Sequence, residues 1–567
     1  MKKIIGIILT GVVVLGVFNI SPNNNVKSLE DFEENEKNQS RFIESSIITE
    51  DGEVSVIEDE DGKINTDEPS TKNSPRSTIP ASGFIDTSSL NTSSTITVYS
   101  DSGLSNAYTY YNPGSSNVVV YFNSTSTALQ ININGYTGWI ARSTSYSYLS
   151  VSDAINKGYI STFTKNSSGD LTMSYRYYGS SSTIIVGKAP DFLTTGSKYY
   201  SPDGIYFYQY VTPMMNDLKS STNSSAINAG SPYYNYYQFL PFKSSTNLTN
   251  ADLKNYITNR GYNSATSILA RDEVVNAFFD GQKTLSINAA LEFSMAILES
   301  GYGTSQIAMN KNNLFGWGAY DSNPYAGAFS FPTAKEGVLY HMENAIDDGY
   351  LDNLTDNRYF GSSVGNKLTG VNVKYASDPF WGLKIAGIYY SIDKASGFKD
   401  YNYYTLGMVN KTNSTVGMYY NGNFVYNFKN TYSNINPSYQ PVLILSKSGS
   451  SYNVISDTSI YNSGDNVEAV TIKNDVITRY TYGTPVLNSA HANAQTSFDK
   501  DIVSFNYSNV TLFGGSSYNK PSSNANDFSG YTKVSLENKA VVLTSSGKAI
   551  YGGKPNSTNK VGDALNG

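Results

Sequence analysis

The run Asn288-Ala-Ala-Leu-Glu-Phe-Ser-Met-Ala-Ile-Leu-Glu299, which leads into Ser300-Gly-Tyr-Gly303, decides the fold class of the middle of this chain. From Ala289 to Leu298 it is apolar almost all the way round at the helical period, which marks a buried central helix, starting near Ser286, rather than a surface one. Glu299 falls where that helix gives way to a Gly-containing turn. Partial burial there disfavours the charged carboxylate, and the negative end of the helix dipole pushes the same way, so its pKa is expected to rise. A carboxylic acid still protonated near neutral pH is what donates a proton to a glycosidic oxygen. On these grounds alone, a purely structural residue at a helix end is an equal alternative.

Outward from this run the helical periodicity extends over about 245–400, whereas both flanks alternate with period two. Thr249-Asn-Ala-Asp252 reads as a helix cap, Asp272 to Asp280 as a helix stopped by Gly281, and Thr333-Ala-Lys-Glu336 as a capping box. Asp378-Pro379 reads as an N-cap with Pro at N1 before a helix from Trp381 to Ser391. Glu292 lies two turns before Glu299 on the same face, placed to tune it.

The 567 residues correspond to three or four average domains. With 48 Tyr, 46 Gly, no Cys and two His, the composition excludes thiol nucleophiles, Cys-ligated zinc and disulfide frameworks. His341 and His491 are too few for a zinc site or a convincing Ser-His-Asp relay, and His341 reads as a packing residue. Carboxylates remain. The net charge of −7 is concentrated in residues 22–77, with fifteen acidic and six basic side chains, so nothing resembles the basic footprint of a nucleic-acid binder.

Met1-Lys-Lys followed by the apolar run Ile4 to Phe18 fits a secretory signal over 1–21, and export without disulfides points to a bacterial surface or secreted protein. Residues 22–93 read as an acidic disordered linker. Residues 94–145 read as a small β-barrel ending in Gly135-Tyr-Thr-Gly-Trp-Ile140; this ending is similar to the small bacterial Src-homology-type barrels that hold wall hydrolases on their polymer, and a generic small barrel with Trp139 buried is the equal alternative to that binding role. A Tyr-rich β segment follows over 146–236, its tyrosines mostly filling thin β cores. Further β modules, including Val442-Leu-Ile-Leu445 and Val467-Glu-Ala-Val-Thr-Ile472, occupy 402–567.

Ala296-Ile-Leu-Glu-Ser-Gly-Tyr-Gly-Thr-Ser305, then Asn312-Asn-Leu-Phe-Gly316, Ala319-Tyr-Asp-Ser-Asn-Pro324 and Val373-Lys-Tyr-Ala-Ser-Asp-Pro379 occur in order along the chain. Together they resemble the endo-β-N-acetylglucosaminidases of glycoside hydrolase family 73, bacterial cell-wall autolysins with a lysozyme-like helical fold. The resemblance covers roughly 235–400 and implies a multidomain protein with a helical lysozyme-like catalytic domain over 237–400, flanked by small β-barrel modules. It implies Glu299 as general acid, a sugar groove lined by Asn313, Phe315, Trp317 and Tyr320, and Tyr375 reaching the reacting sugar or its acetamido group. For Phe315, core packing is the equal alternative.

The second carboxylate is less defined. Asp321, on a loop rich in Gly, Asn, Ser and Pro, is the candidate base, with an ordinary turn residue as the equal alternative. Catalysis assisted by the substrate's own acetamido group needs no second carboxylate. The implied reaction is cleavage of the β-1,4 bond between N-acetylglucosamine and N-acetylmuramic acid in peptidoglycan glycan strands. A lytic transglycosylase using the same Glu and a non-catalytic wall-binding or adhesive surface protein are the alternatives. No metal or organic cofactor is indicated. The expected partners are the glycan strands and the wall polymer held by the β modules, with no nucleic acid, and the protein is expected to be a monomer.

Overall fold

The computed structural model describes residues 81–90, 94–116, 118–319, 324–353, 356–409, 416–420, 422–427, 439–457, 502–506 and 510–515. It also gives strand fragments at 46–48, 54–56, 470–472, 486–487, 532–534, 541–543 and 549–551. The expected signal segment and most of the acidic linker lie outside the described residues, as do Tyr320 and Asp321. The chain divides into two compact units, one holding 240–362 and 398 onward, the other holding the described residues up to 239 together with 363–397.

In the second of these units, β1 (Gly83–Asp86), β2 (Ile96–Tyr99), β3 (Ala107–Tyr111), β4 (Val118–Ser124), β5 (Ala128–Ile133), β6 (Tyr136–Ala141) and β7 (Ser147–Leu149) form one antiparallel sheet in the order β3-β2-β6-β5-β4-β1-β7. The sheet is open, which corrects the expected closed barrel. Its edge strand β3 turns to the segment after Val371 instead: Thr109 Oγ1 donates to the Val373 carbonyl at 2.8 Å and Tyr110 Oη to the Lys374 carbonyl at 2.7 Å. Tyr108 Oη donates to the Leu368 carbonyl at 2.7 Å, and the Asn112 amide to the Ser377 carbonyl at 2.8 Å. The buried positions of β6 are Tyr136, Gly138 and Ile140, so the period of two leaves Trp139 half-buried rather than buried as the generic-barrel alternative has it.

The following stretch is not purely β. Helix α1 (Val151–Asn156) precedes a four-stranded antiparallel sheet of β8 (Thr162–Lys165), β9 (Asp170–Tyr177), β10 (Ser180–Lys188) and β11 (Lys198–Tyr199), in the order β10-β9-β8-β11. Helix α2 (Val211–Ser220) then packs Val211, Met214 and Met215 against Phe84, Val120 and Leu149. Tyr175, Tyr177, Tyr199 and Tyr208 are buried, as their expected core role requires.

The other unit begins with α3 (Asn250–Thr258), whose expected cap at Thr249 is a full capping box with Asp252. Helix α4 (Asp272–Leu285) runs straight through Gly281 rather than stopping there. A methyl group at 281 would collide with the Met342 side chain, so this glycine is a point of close helix packing and not a terminator. Helix α5 (Ala289–Ser300) starts from Asn288, whose side chain accepts the amides of Ala290 and Leu291, and ends at Gly301 with φ 54°. Then come α6 (Gln306–Lys311) and α7 (Ala334–Tyr340), the latter opened by the Thr333–Glu336 capping box and continued by a π-helical segment, His341–Tyr350. Helices α5 and α7 both pack on α4.

Helix α8 (Trp381–Ala395), in the unit with the N-terminal sheets, packs on β10. Its N-cap is Phe380, which corrects the expected Asp378 cap. Asp378 accepts the Phe380 amide at 2.7 Å and forms a buried ion pair with Lys384, so its carboxylate serves a charge one turn inside the helix. After it come β12 (Thr405–Val409), β13 (Gly417–Tyr420), β14 (Asn423–Asn427), β15 (Gln440–Ser448), β16 (Ser451–Ile455), β17 (Ile502–Asn506) and β18 (Val510–Gly514). They form one sheet in the order β14-β13-β17-β16-β15-β12-β18, built over Met418, Val442, Ile444, Val454 and Phe505.

Candidate active site

Helix α5 presents Glu299 in a specific way. All other residues of α5 are buried, and Glu299 alone is half-buried. The turn after it is held by Ser300, whose Oγ accepts the Gly303 amide at 2.8 Å, and by Ile268, whose amide donates to the Gly303 carbonyl at 3.1 Å. Gly303 adopts φ 74°, and a methyl there would meet the Leu269 backbone and Ser267 hydroxyl, so the chain passes this point only as glycine. A rigid, buried helix that ends in a tightly tied turn fixes one carboxyl at its rim.

Two turns earlier on the same face, Glu292 is fully buried and pairs with His341 Nδ1. His341 is itself 1% exposed, so it is a packing residue as expected, with a specific partner. Its ring lies parallel on that of Phe315, with centroids 3.7 Å apart and planes 3° apart, and Trp317 meets it edge-on at 6.1 Å.

The loop bearing those aromatics is organised by Asn313. Its Nδ2 donates to the carbonyls of Trp317 at 2.9 Å and Phe329 at 3.0 Å, while its Oδ1 accepts the amides of Phe315 at 3.3 Å and Trp317 at 2.9 Å. Asn313, Phe315 and Trp317 are all buried. The structure thus brings these three together around His341, facing packing rather than open solvent. Tyr375 lies in the other unit, half-buried and stacked on Trp381 at 4.8 Å, within a segment tied to β3. Asp321 and Tyr320 fall outside the described residues.

Glu336, set aside from the sequence as a cap, accepts the Thr333 amide at 2.9 Å and so is spent locally. Sequence reasoning missed the Glu292–His341 pair. Its only signal was the seven-residue spacing of the two glutamates, because the imidazole lies 49 positions downstream. A surface recess lined by Lys254, Thr258, Asn263, Arg271, Asp272 and Glu273 contains none of the expected site residues. Among the described residues no group of three His, Asp or Glu side chains gathers as a metal site would need.

Comparison with known proteins adds the chemistry. Residues 275–394 match the family model for glucosaminidase, described as mannosyl-glycoprotein endo-beta-N-acetylglucosaminidase. A putative endo-beta-N-acetylglucosaminidase of Streptococcus pneumoniae serotype 4 is 34% identical over 233 residues, which are 40% of this chain and 30% of that protein. A beta-N-acetylglucosaminidase of Bacillus subtilis is 30% identical over 128 residues, 20% of this chain and 14% of that protein. The chain therefore spans less than a third of the length of these curated relatives. A crystal structure of a catalytic mutant of S. aureus autolysin E in complex with the disaccharide NAG-NAM is 19% identical, covering 28% of this chain and 73% of that one, with a TM-score of 0.22. On the family match and the motifs within it, residues 275–394 of this chain are a glucosaminidase domain.

Proposed function

We propose that this protein hydrolyses the β-1,4 bond between N-acetylglucosamine and N-acetylmuramic acid in peptidoglycan, with Glu299 giving its proton to the glycosidic oxygen as the bond breaks. The observation that carries the reading is that Glu299 alone among the side chains of α5 reaches solvent. A carboxyl on the rim of a buried helix can meet a polymeric sugar from outside and still be held in one orientation by the packing behind it. The glucosaminidase match over 275–394 supports the same bond type. Tyr375 is proposed to orient the reacting sugar or its acetamido group through its hydroxyl. Asp321 is proposed as the base that activates water on the opposite face of the ring. The start Met1-Lys-Lys with the Ile4–Phe18 run supports export, with the protein acting on the wall from outside.

The test is zymography of the full chain against peptidoglycan, wild type beside Glu299→Gln, with mass spectrometry of the digest. Clearing by the wild type with reducing N-acetylglucosamine ends is expected. The isostere should lose at least about a hundred-fold in rate, since general-acid catalysis contributes roughly that much or more. Anhydromuramyl ends would identify a lytic transglycosylase instead, and equal clearing by both proteins would remove Glu299 as the acid.

A further inference from the structure

We infer that the buried Glu292–His341 pair is a positioning device for the glycosidase reaction, setting the rotation of the helix that carries Glu299 against the Asn313–Trp317 loop. The inference rests on the reading of Glu299 as the acid.

Seven residues separate Glu292 from Glu299, two helical turns within about 20° of a common face, so a torque on one carboxylate is a torque on the other. Glu292 is fully buried and its Oε1 meets His341 Nδ1, while its Oε2 has no hydrogen-bond partner among the described residues. Burying an acid and an imidazole in an apolar helix core is costly, and well-packed apolar side chains serve stability as well or better. The pair's distinctive property is direction. His341 is the first residue of the π-helical segment, immediately after the last turn of α7, and the wider π turn begins where its ring is delivered.

That ring has two functions at once. Its nitrogen holds the α5 carboxylate, and its face lies flat on Phe315 at 3.7 Å with Trp317 against its edge. Phe315 and Trp317 are in turn fixed through their amides by Asn313. A single imidazole therefore couples three elements: the acid's helix, the loop after it, and the π segment. Neither Glu292 nor His341 is exposed to meet a saccharide, so they act through Glu299 and the loop rather than on the sugar.

The experiment uses the full chain with solubilised peptidoglycan glycan strands as probe. The double variant Glu292→Leu/His341→Phe replaces the pair by apolar groups and keeps a ring over Phe315. It should melt at or above the wild-type temperature, while kcat falls about ten-fold or more and KM stays within about two-fold, because small misplacements of a catalytic group cost rate rather than binding. The single variant Glu292→Gln keeps an acceptor toward the imidazole and is expected to hold kcat within about three-fold of wild type, a readout that survives if the double variant does not fold. A folded double variant with wild-type kcat overturns the inference, and so does a stable Gln variant that has lost rate ten-fold. Glu299→Gln is measured alongside: if it stays active, the acid assignment fails. If it is inactive while the double variant is not, only the positioning role fails.

Discussion

Asn313 shows what a single residue contributes at this site. Its amide is used completely, twice as donor and twice as acceptor, and it is 2% exposed, so no part of it is left over for another ligand in this arrangement. Asn313→Ala leaves the Phe315 and Trp317 amides and the Phe329 carbonyl without that partner, while the Trp317 carbonyl keeps the Phe329 amide at 2.8 Å. Each unsatisfied group costs about 1–3 kcal/mol, and with relaxation a net loss of about 2–4 kcal/mol in urea unfolding is expected. Asn313→Asp keeps both acceptors but turns a carboxylate oxygen toward the Trp317 and Phe329 carbonyls, and it should be at least as damaging. A loss below about 0.5 kcal/mol in either variant would mean that the loop does not depend on this side chain. The same residue explains a limit of sequence reading. Asn, Phe and Trp in a turn are equally consistent with a sugar platform or a packed loop, and residue type alone does not say which side faces water.

At the scale of elements, patterns contained within a few residues were legible. The all-round apolar run gave α5, the Thr249–Asp252 stretch gave a helix cap and the Thr333–Glu336 spacing a capping box, because each is complete within one turn. Patterns whose reason lies far along the chain were misread. Gly281 looked like a stop, since nothing nearby reveals Met342, and Asp378 looked like a cap, since its claim on Lys384 is tertiary. The position of Glu299 at the end of a buried helix was legible, whereas the His341 tie to Glu292 was not, for the same reason. The largest revision concerns β3. A strand expected to belong to a wall-binding barrel turns the hydroxyls of Thr109 and Tyr110 to the segment that carries Tyr375. Thr109→Val with Tyr110→Phe removes two hydroxyls and leaves the Val373 and Lys374 carbonyls without them. A loss of about 1–3 kcal/mol is expected, with faster amide hydrogen exchange confined to the stretch 371–377. Unchanged exchange there would show that this segment is held by other means.

On the scale of the whole molecule, the helical region and the C-terminal sheet share one unit, and they are joined by a buried polar connection rather than by apolar packing alone. Tyr359 donates to Asp457 at 2.6 Å and lies 3.3 Å from Gln440 Oε1, while within the helical region itself Lys243 pairs with Asp347 at 2.5 Å. Burial pushes the Asp457 carboxyl up to about 6, against the opposing pull of the Tyr359 hydrogen bond and the Lys243 charge. The unfolded chain releases this proton near 3.8, so between that pH and about 6 the folded protein holds a proton that the unfolded one has lost. Stability from this group is therefore fully present below 3.8 and is lost as pH rises through about 6, with a ceiling of about 3 kcal/mol from the size of the shift. Asp457→Asn keeps an acceptor for Tyr359 and has no proton to lose. Unfolding free energies of the two proteins, taken by urea titration from pH 4 to pH 8, should diverge in favour of the variant as pH rises, with the change centred between pH 4 and 6. Parallel curves would show that Asp457 titrates alike in the folded and unfolded chains. A gap that closes with rising pH would mean that the carboxylate form is the one this junction stabilises.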